Sequence, residues 1–376
     1  MSDVSMPLVV LATGGTGGHV FPAEALAGEL MSRGYRLALI TDRRGGVFSG
    51  VLGDLETYRI RAGGVAGKNI LALLQSVAEL AVGLFQARSL LKRLQPAAVI
   101  GFGGYASVPT MLAACFGGFA AAIHEQNAIL GRANRLLATR VRQIATCFDT
   151  VEELPADVQD KVIFTGMPVR PAVAKCREIS YPVLADDDAL HLMIVGGSQG
   201  ARVLSDVVPA AIALLPDVYR QRIRVTQQCR PEDLARVTEA YAEIGVEATL
   251  ESFFADLPRR MAAAHLVIGR AGASTVSELT AIGRPAILVP YPHAVDDHQA
   301  RNAHAIDEAG GGWLINEDVF TADALAKRLQ SLFGLPAVLQ RSAANARAAG
   351  RPAAAEALAD MVAGIIQGSN EGRAAA

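Results

Sequence analysis

The sequence predicts an α/β protein made of two doubly wound domains, each with a mostly parallel sheet. Three observations support this fold class. The chain has 376 residues, of which 51% are hydrophobic, and this is enough for two cores. Short apolar runs alternate with helical patterns, an order typical of parallel sheets covered by helices on both faces. The two halves of the chain also share one order of elements, which indicates internal duplication.

The first half begins with a βαβ unit, PLVVLATGGTGGHVFPAEALAGELMSRGYRLALIT. It contains an apolar strand at 8–12, a glycine loop, a helix that starts near Pro22 and stops at Gly34, and a second strand. The later segment AAVIGFGGYASVPTMLAACFGGFAAAIHE adds a strand, a glycine loop, a short helix and another strand. All of these elements fit one parallel sheet.

The second half repeats this order from a strand at 190–195, which leads to a Gly-Gly loop and a helix that begins near Ala201. The segment AHLVIGRAGASTVSELTAIGRPAILVPYPH again gives strand, glycine loop, helix and strand. Prolines and acidic residues interrupt the periodicity from residue 168 onward. We therefore expect domains at 1–168 and 169–350, and a disordered tail at 368–376.

Composition and charge exclude several classes of function. The 35 basic and 37 acidic residues nearly cancel, so the sequence predicts no nucleic-acid partner, and any attraction to anionic lipid must be local. The four cysteines form no CxxC pair, which argues against a disulfide framework and a zinc site. The N-terminal apolar run is too short for a signal peptide, and the apolar stretch at 108–123 is shorter than the roughly 20 residues of a spanning helix.

Glycine loops at strand ends predict anion binding in both halves. In TGGTGGH, at 13–19, backbone N–H groups and a helix N-terminus favour a phosphate or diphosphate. A dinucleotide fingerprint would require glycine where Val20 stands, although Asp42 remains a tolerable ribose ligand. In GGSQGAR, at 196–202, the Ser198 hydroxyl can donate to a phosphate oxygen or simply cap the helix.

Polar residues also gather at other strand ends. HEQN, at 124–127, and PHAVDDHQ, at 292–299, each follow a buried strand, where parallel α/β folds bind ligands. The acidic and histidine residues of the second motif have no recognisable metal-ligand spacing, and this motif contains no DxD, so we expect neither a metal nor a cofactor. Glu278, one turn into the helix of GRAGASTVSELTAIG, can accept hydrogen bonds from ribose hydroxyls or be a solvated surface residue.

The segment at 67–94 carries more apolar residues than one core face needs. These apolar residues include Ile70, Leu73, Leu74, Val77, Leu80, Leu84 and Phe85. The basic residues that flank them are Lys68, Arg88, Lys92 and Arg93. This arrangement is typical of a surface that rests on a bilayer with basic groups near the headgroups. An ordinary packed helix pair with solvated ends is the alternative.

Seven motifs, in order over nearly the whole chain, resemble those of the MurG glycosyltransferases. They are GGTGGHVFPA, GFGGYASVP, HEQN, GMPVR, GGSQGAR, RAGASTVSEL and PHAVDDHQARNA. The resemblance implies the GT-B fold, in which two Rossmann-like domains face an interdomain cleft and a helix at about 351–367 packs back on the first domain. It also implies an inverting enzyme that transfers GlcNAc from UDP-GlcNAc to the C4 hydroxyl of the MurNAc unit of lipid I, giving lipid II and UDP for peptidoglycan synthesis.

The resemblance implies partners and a location as well. The donor would be UDP-GlcNAc and the acceptor lipid I, which is undecaprenyl-pyrophosphoryl-MurNAc-pentapeptide. The enzyme would lie on an anionic membrane surface, as a peripheral protein at the cytoplasmic face of the cell membrane.

Individual site residues follow from the same resemblance. The catalytic residues would be His19 and Asn127. The residues that contact UDP-GlcNAc would be Thr16, Gly17, Gly18, Asn127, Arg170, Ser198, Phe253, Phe254, Glu278 and Gln299. The residues that hold the acceptor diphosphate would be Gly14, Gly15, Gly17, Gly103, Gly104 and Tyr105. Among the donor contacts, the two phenylalanines would lie near uracil, Glu278 on the ribose and Gln299 on the sugar. His298 stands where some family members carry glutamine.

Three other functions remain compatible with parts of the sequence. A UDP-GlcNAc 2-epimerase would use the same donor site without a lipid. An NAD-dependent oxidoreductase would use the first glycine loop for a dinucleotide, and a non-catalytic module would bind the nucleotide sugar without releasing UDP. The sequence also leaves open which group acts as the general base and how many copies assemble.

Overall fold

The computed structural model describes residues 6–14, 17–43, 48, 50–63, 70–185, 188–197 and 200–374. The chain divides into two compact units. Unit 1 comprises Met1–Arg170 together with Pro352–Ala376, and unit 2 comprises Pro171–Arg351.

Unit 1 contains a seven-stranded sheet in the order β3-β2-β1-β4-β5-β6-β7, and every pairing in it is parallel. The strands are β1 Leu8–Ala12, β2 Arg36–Asp42, β3 Glu56–Ile60, β4 Ala98–Gly101, β5 Ala120–Glu125, β6 Gln143–Thr146 and β7 Val162–Phe164. The first helices are α1 Gly17–Ser32, α2 Gly50–Gly53, α3 Ile70–Leu94, α4 Val108–Phe116 and α5 Arg132–Leu137. Because the strands are parallel, their carboxyl ends lie along one edge of the sheet.

Unit 2 repeats the topology with a six-stranded parallel sheet in the order β10-β9-β8-β11-β12-β13. The strands are β8 Leu190–Val195, β9 Ile223–Gln228, β10 Glu247–Glu251, β11 Leu266–Gly269, β12 Ala286–Leu288 and β13 Gly312–Leu314. The helices are α6 Pro171–Cys176, α7 Arg202–Ala213, α8 Asp217–Arg220, α9 Leu234–Glu243, α10 Leu257–Ala263, α11 Ala273–Ile282, α12 His298–Glu308, α13 Ala322–Phe333 and α14 Pro336–Ala349.

The first strand of each unit, β1 or β8, lies inside its sheet and is an almost continuous apolar run because both faces of the sheet are covered. In β1, Val9 and Leu11 point into one cluster with Leu26 and Leu30 of α1, all of them buried. In β8, buried apolar residues from Leu192 to Val195 take the same place in unit 2. Strands buried on both sides lose the polar alternation of an exposed sheet.

A final helix, α15, spans Ala354–Ala374 and packs on α1 and on strands β4, β5 and β6 of unit 1. Its buried residues, among them Leu358, Val362 and Ile365, belong to the same apolar cluster as β1. This helix continues past Gln367, where the sequence interpretation ended it, and includes much of the segment that we expected to be disordered.

One further boundary differs from the sequence prediction. Helix α1 begins at Gly17 rather than near Pro22, and the proline lies inside the helix, one turn after Gly18. A proline here removes only the hydrogen bond to the Gly18 carbonyl, so the helix continues through it. The segment from Ile70 to Leu94 forms one continuous helix, α3, which packs against α4. Within the described part of the chain, no helix is long and apolar enough to cross a bilayer.

Candidate active site

Strand β5 ends in a cluster of buried polar side chains. His124 and Glu125 close the strand, and Gln126 and Asn127 follow it. His124, Glu125 and Gln126 are almost completely buried, whereas Asn127 is half-buried. Polar groups are stable at such depth only when they are hydrogen-bonded, so the partners of each one define the site.

Glu125 anchors the loop that follows β5. Its Oε1 accepts hydrogen bonds from the backbone N–H and the side-chain Nδ2 of Asn127, at 3.0 and 3.2 Å. Its Oε2 accepts from the Gly131 N–H at 2.9 Å and from Asn134 Nδ2 at 2.8 Å. The carboxylate therefore turns the Asn127 amide nitrogen toward itself and the amide oxygen away. Since Glu125 is 1% exposed, it organises the site from beneath.

His124 is neutral near physiological pH. Complete burial lowers its pKa from 6.5 to about 4, a hydrogen bond with the Gly166 backbone opposes this shift, and the nearby His19 adds to it. Its Nε2 lies 3.4 Å from Cys147 Sγ. Burial also raises the pKa of the Cys147 thiol well above its ordinary value, and so this thiol stays protonated.

His19 lies in the first turn of α1 and contacts two other strand ends. Its Nδ1 is 3.1 Å from Gln126 Oε1. Its ring packs on Gly103 and Gly104, where an added Cβ would come within 3.3 Å of ring carbons. Both glycines have left-handed φ values, +82° and +71°, which side-chain-bearing residues rarely adopt. Unit 1 therefore brings His19, the Gly103–Gly104 loop and the end of β5 together.

The other predicted acceptor residues lie around this cluster. Gly14 is adjacent to Ala106, since a Cβ added at the glycine would lie 3.5 Å from the alanine Cβ, and Tyr105 is the neighbour of that alanine. Gly17 and Gly18 open α1, a sixteen-residue helix whose first N–H groups have no partner within the helix. Gly15 and Thr16 lie outside the described residues. The two loops predicted to hold the diphosphate are thus neighbours.

Arg170 is the last predicted donor residue in unit 1. Its guanidinium carbon lies 5.0 Å from the centre of the Phe21 ring on α1. This cation–π contact holds the positive charge beside the first turns of α1.

The predicted donor residues of unit 2 differ in exposure. Phe253 is 71% exposed, whereas Phe254 is 3% exposed and is covered by the Arg260 guanidinium, 4.6 Å from its ring centre. Only the Phe253 ring presents a face to solvent. Glu278 is 8% exposed on α11, so the solvated-surface alternative for this residue is wrong. Ser198 lies outside the described residues, between Gly197 and Gly200, which both have positive φ.

Gln299 closes the loop that follows β12. Its Oε1 accepts a hydrogen bond from the Tyr291 N–H at 3.0 Å. Sequence reasoning missed Arg270, which directly follows β11 and donates to the carbonyls of Val289 and Pro290 at 3.1 and 3.0 Å. Arg270 also pairs with Glu317, at 2.6 Å. The sequence feature that could have identified Arg270 is its position directly after a buried strand, where parallel α/β folds bind ligands.

Two polar residues of unit 1 were also missed as site residues. Gln126 was noticed only as a letter of HEQN, and Asn134 was not noticed at all. Both donate to the backbone carbonyl of His124, at 2.9 and 3.2 Å. Among the described residues, no group of three histidine, cysteine, aspartate or glutamate side chains could hold a metal ion.

Two parallel α/β units, each with glycine loops at its strand ends, are typical of the GT-B fold, and the family models assign the chain to the glycosyltransferases of that fold. The model of the glycosyltransferase family 28 N-terminal domain matches residues 9–146, and that of the family 28 C-terminal domain matches residues 191–358.

The relatives narrow this class further. A protein of Paramagnetospirillum magneticum named "UDP-N-acetylglucosamine--N-acetylmuramyl-(pentapeptide) pyrophosphoryl-undecaprenol N-acetylglucosamine transferase" is 62% identical over 96% of this chain and 97% of its own length. The protein of the same name from Rhodospirillum rubrum is 56% identical over 96% of this chain and 92% of its own length. The chain therefore belongs to the MurG family of these transferases, which confirms the resemblance of the motifs.

Solved structures agree on the fold. The crystal structure of Acinetobacter baumannii MurG is 29% identical, with a TM-score of 0.78, and the match covers 95% of this chain and 99% of that one. A UDP-GlcNAc 2-epimerase from Neisseria meningitidis gives a TM-score of 0.66 at 13% identity, over 94% of this chain and 98% of that one, and this likeness shows the fold alone. The predicted GT-B fold class is confirmed.

Proposed function

We propose that the protein transfers GlcNAc from UDP-GlcNAc to the C4 hydroxyl of the MurNAc unit of lipid I, forming lipid II and UDP. The observation that carries this proposal is the 62% identity with a transferase of that name across 96% of the chain, so that both units are retained. The structural likeness to an epimerase comes with only 13% identity, which favours the transferase over that alternative.

Unit 1 has the groups that the acceptor requires. The N-terminus of α1 and the glycine loop after β4 present backbone N–H groups to a diphosphate, and the helix dipole favours its negative charge. His19 lies where α1 meets that loop and can take the proton from the attacking hydroxyl as a general base. Attack by the hydroxyl in a single displacement inverts the sugar carbon.

Unit 2 has groups that suit the donor. The exposed Phe253 ring offers a face for stacking on uracil, and we retain Glu278, the sixth residue of α11, as the proposed acceptor of hydrogen bonds from the ribose hydroxyls. The loop between β8 and α7 is a second phosphate site, and we retain Ser198 there as a proposed hydroxyl donor. Backbone N–H groups that stabilise the departing UDP provide the electrostatic part of catalysis.

A lipid acceptor requires contact with the membrane, and one face of α3 fits this role. Val77, Val82 and Phe85 are exposed on it, and Phe85 is 77% exposed. Arg88 and Lys92 continue the exposed surface toward the end of the helix. Apolar side chains beside basic ones bind anionic bilayers peripherally, and we place this surface on the cytoplasmic leaflet, where lipid I would be met.

The membrane surface can be tested separately from catalysis. Val82→Ser combined with Phe85→Ser should reduce co-sedimentation with phosphatidylglycerol vesicles several-fold while sparing turnover of a short-chain, soluble acceptor. Leu214→Ser combined with Val218→Ser, at exposed apolar positions of unit 2, is the matched control. Unchanged vesicle binding by the folded double variant would remove α3 from the proposal.

The transfer reaction is tested by UDP release and by the product. The protein should release UDP from UDP-GlcNAc only when a lipid I analogue is present, and mass spectrometry should show the acceptor heavier by one N-acetylhexosamine. Formation of UDP-N-acetylmannosamine without acceptor would instead establish the epimerase. Binding of UDP-GlcNAc with no UDP release under any condition would establish the non-catalytic module.

A further inference from the structure

We propose that Gln126 is a positioning residue that fixes the tautomer of His19, so that Nε2 is the ring nitrogen that accepts a proton. This inference rests on the proposed transferase function, in which His19 deprotonates the acceptor hydroxyl. It assigns a task to a residue whose side chain is buried and cannot reach a substrate itself.

The orientation of the Gln126 amide is set by the backbone. Its Nε2 lies 3.1 Å from the Phe102 carbonyl oxygen and 2.9 Å from the His124 carbonyl oxygen. Both oxygens accept hydrogen bonds and cannot donate them. If the amide were flipped, Oε1 would face two carbonyl oxygens at these distances with no hydrogen between them, and both buried carbonyls would lose a donor. The nitrogen therefore faces the carbonyls, and Oε1 faces His19.

This orientation determines where His19 carries its proton. Gln126 Oε1 lies 3.1 Å from His19 Nδ1, and an amide oxygen can only accept. The hydrogen of this bond must therefore be on Nδ1. A neutral imidazole has one N–H, so Nε2 has none and is the basic nitrogen. That nitrogen lies on the ring edge next to Gly104 in the loop after β4.

His124 supports the same arrangement from the far side of Gln126. Gln126 Nε2 is also 2.9 Å from His124 Nδ1, so its two hydrogens are shared among this ring nitrogen and the two carbonyls. A hydrogen on His124 Nδ1 would point at an N–H₂ group that can only donate, so His124 carries its own hydrogen on Nε2. A second proton on His124 would face the N–H of Gln126 and drive the amide to flip. Burial, which lowers the His124 pKa to about 4, prevents this at neutral pH.

The other titratable groups around this chain of hydrogen bonds carry no competing role. Cys147, against His124 Nε2, is a protonated thiol because burial raises its pKa. Glu125 directs its carboxylate to Asn127, Gly131 and Asn134. Within the described part of unit 1, the acceptor that faces His19 Nδ1 is therefore an uncharged amide, which sets the tautomer without adding a negative charge.

The tautomer can be observed directly in the resting protein. Nitrogen-15 spectra of histidine-labelled protein distinguish protonated from unprotonated ring nitrogens, and His19→Gln identifies the signals of His19. We expect protonated Nδ1 and unprotonated Nε2 in the wild type near neutral pH. A wild-type His19 that carries its hydrogen on Nε2 would overturn the proposal without any measurement of activity.

Three variants separate positioning from general stability. Gln126→Leu removes the acceptor, and we expect a mixed His19 tautomer and a fall in kcat of roughly 10–100-fold, with the KM for UDP-GlcNAc unchanged. Gln126→Glu keeps an oxygen against Nδ1, and as a buried neutral acid its hydroxyl can donate to the Phe102 or the His124 carbonyl in place of Nε2, so it should retain the tautomer and most of the turnover. Asn134→Ala removes another donor from the His124 carbonyl but not the amide that faces His19, so the tautomer should persist.

The combination with His19 distinguishes this inference from the proposed function. Gln126→Leu should have no additional effect on kcat in a His19→Gln background, because both changes remove the same base. If His19→Gln alone retains full turnover, the catalytic assignment fails even where the spectra show the expected tautomer. If Gln126→Leu is folded and keeps both the wild-type tautomer and kcat, the positioning role fails. Should Gln126→Leu not fold, loss of the tautomer in Gln126→Glu would overturn the proposal.

Discussion

The two units share a topology, yet their corresponding strands end in different chemistry. Strand β5 of unit 1 and strand β12 of unit 2 occupy the same place in their sheets, since one strand, β4 or β11, separates each from the first strand of its unit. Strand β5 leads into buried polar residues that bond to one another and to the backbone. Strand β12 leads into a loop in which Tyr291 and Val295 are exposed and Asp296 has a left-handed φ of 53°. One duplicated scaffold thus provides a buried polar site after one strand and an exposed loop after the corresponding strand.

The difference follows from where hydrogen bonds are satisfied. In unit 1 the polar groups after β5 take nearly all their partners from inside the fold, which fixes their geometry before any ligand arrives. In unit 2 Arg270 and Gln299 hold the two ends of the loop after β12, and the bonds within the loop join exposed residues, such as His298 Nδ1 and the Val295 carbonyl. We therefore expect changes in unit 1 to affect the chemical step and changes in unit 2 to affect donor binding.

The largest effect is expected from His19→Ala in unit 1. If His19 is the general base, kcat should fall by roughly 10²-fold or more while UDP binding persists, because the proposed contacts with uracil, ribose and phosphate, Phe253, Glu278 and Ser198, are in unit 2. Steady-state kinetics with a lipid I analogue and calorimetric titration of UDP measure the two quantities. An acidic limb in the wild-type pH profile that is absent from the variant would identify a base. A folded His19→Ala protein with the kcat of the wild type would contradict the assignment of His19 as the general base.

A smaller effect is expected from acid on the folding of unit 1. The pKa of His124 is about 4 in the folded protein and 6.5 when it is unperturbed, so between these values only the unfolded chain takes up the proton. The stability of unit 1 should therefore be unaffected above pH 6.5 and fall by on the order of 3 kcal/mol as the pH drops to 4. Hydrogen exchange of the β5 backbone amides across this pH range measures the free energy of unfolding of unit 1.

Unit 2 provides a comparison for this acid effect. Burial, and then the neighbouring His191, lower the pKa of His265 to about 4 as well, so unit 2 should weaken in the same direction. Its unfolding can be followed by fluorescence of Trp313, the one tryptophan of the chain, which lies in β13. His124→Phe should flatten the pH dependence of β5 exchange but leave the tryptophan transition unchanged. If both signals changed, the two units would not respond independently.

The smallest effect on turnover, and a clear one on binding, is expected from Glu278→Ala in unit 2. The ribose would lose a charge-assisted partner, which weakens UDP binding by about 1.5–3 kcal/mol. Saturating UDP-GlcNAc should restore most of kcat, in contrast to His19→Ala. Glu251→Ala, at an exposed position of β10 in the same unit, is a matched removal of a carboxylate. A dissociation constant for UDP equal to that of the wild type would exclude Glu278 from the donor site.

Much of the fold could be predicted from the sequence, because buried parallel strands and glycine loops leave strong local patterns. Strands β1 and β8 and the loops after them are found where the apolar runs predicted them. The start of α1 at Gly17 could not be predicted. Proline is most common at the first position of a helix, so Pro22 indicated a start near itself. The candidate site was predicted as a set of motifs, but its pairings were not. His19 and Gln126 lie 107 residues apart, and no local pattern records such a contact.

The position of α15 has a consequence for how the protein is made. Leu358, Val362 and Ile365 complete the core of unit 1, but they are synthesised only after the whole of Pro171–Arg351. At ~5–20 residues per second, the ribosome takes about 10–40 s to cross that stretch. During this time the face of β4 and β5 that α15 later covers has no permanent partner. The nascent first unit therefore presents an apolar surface to chaperones, and the second unit can finish folding before the first.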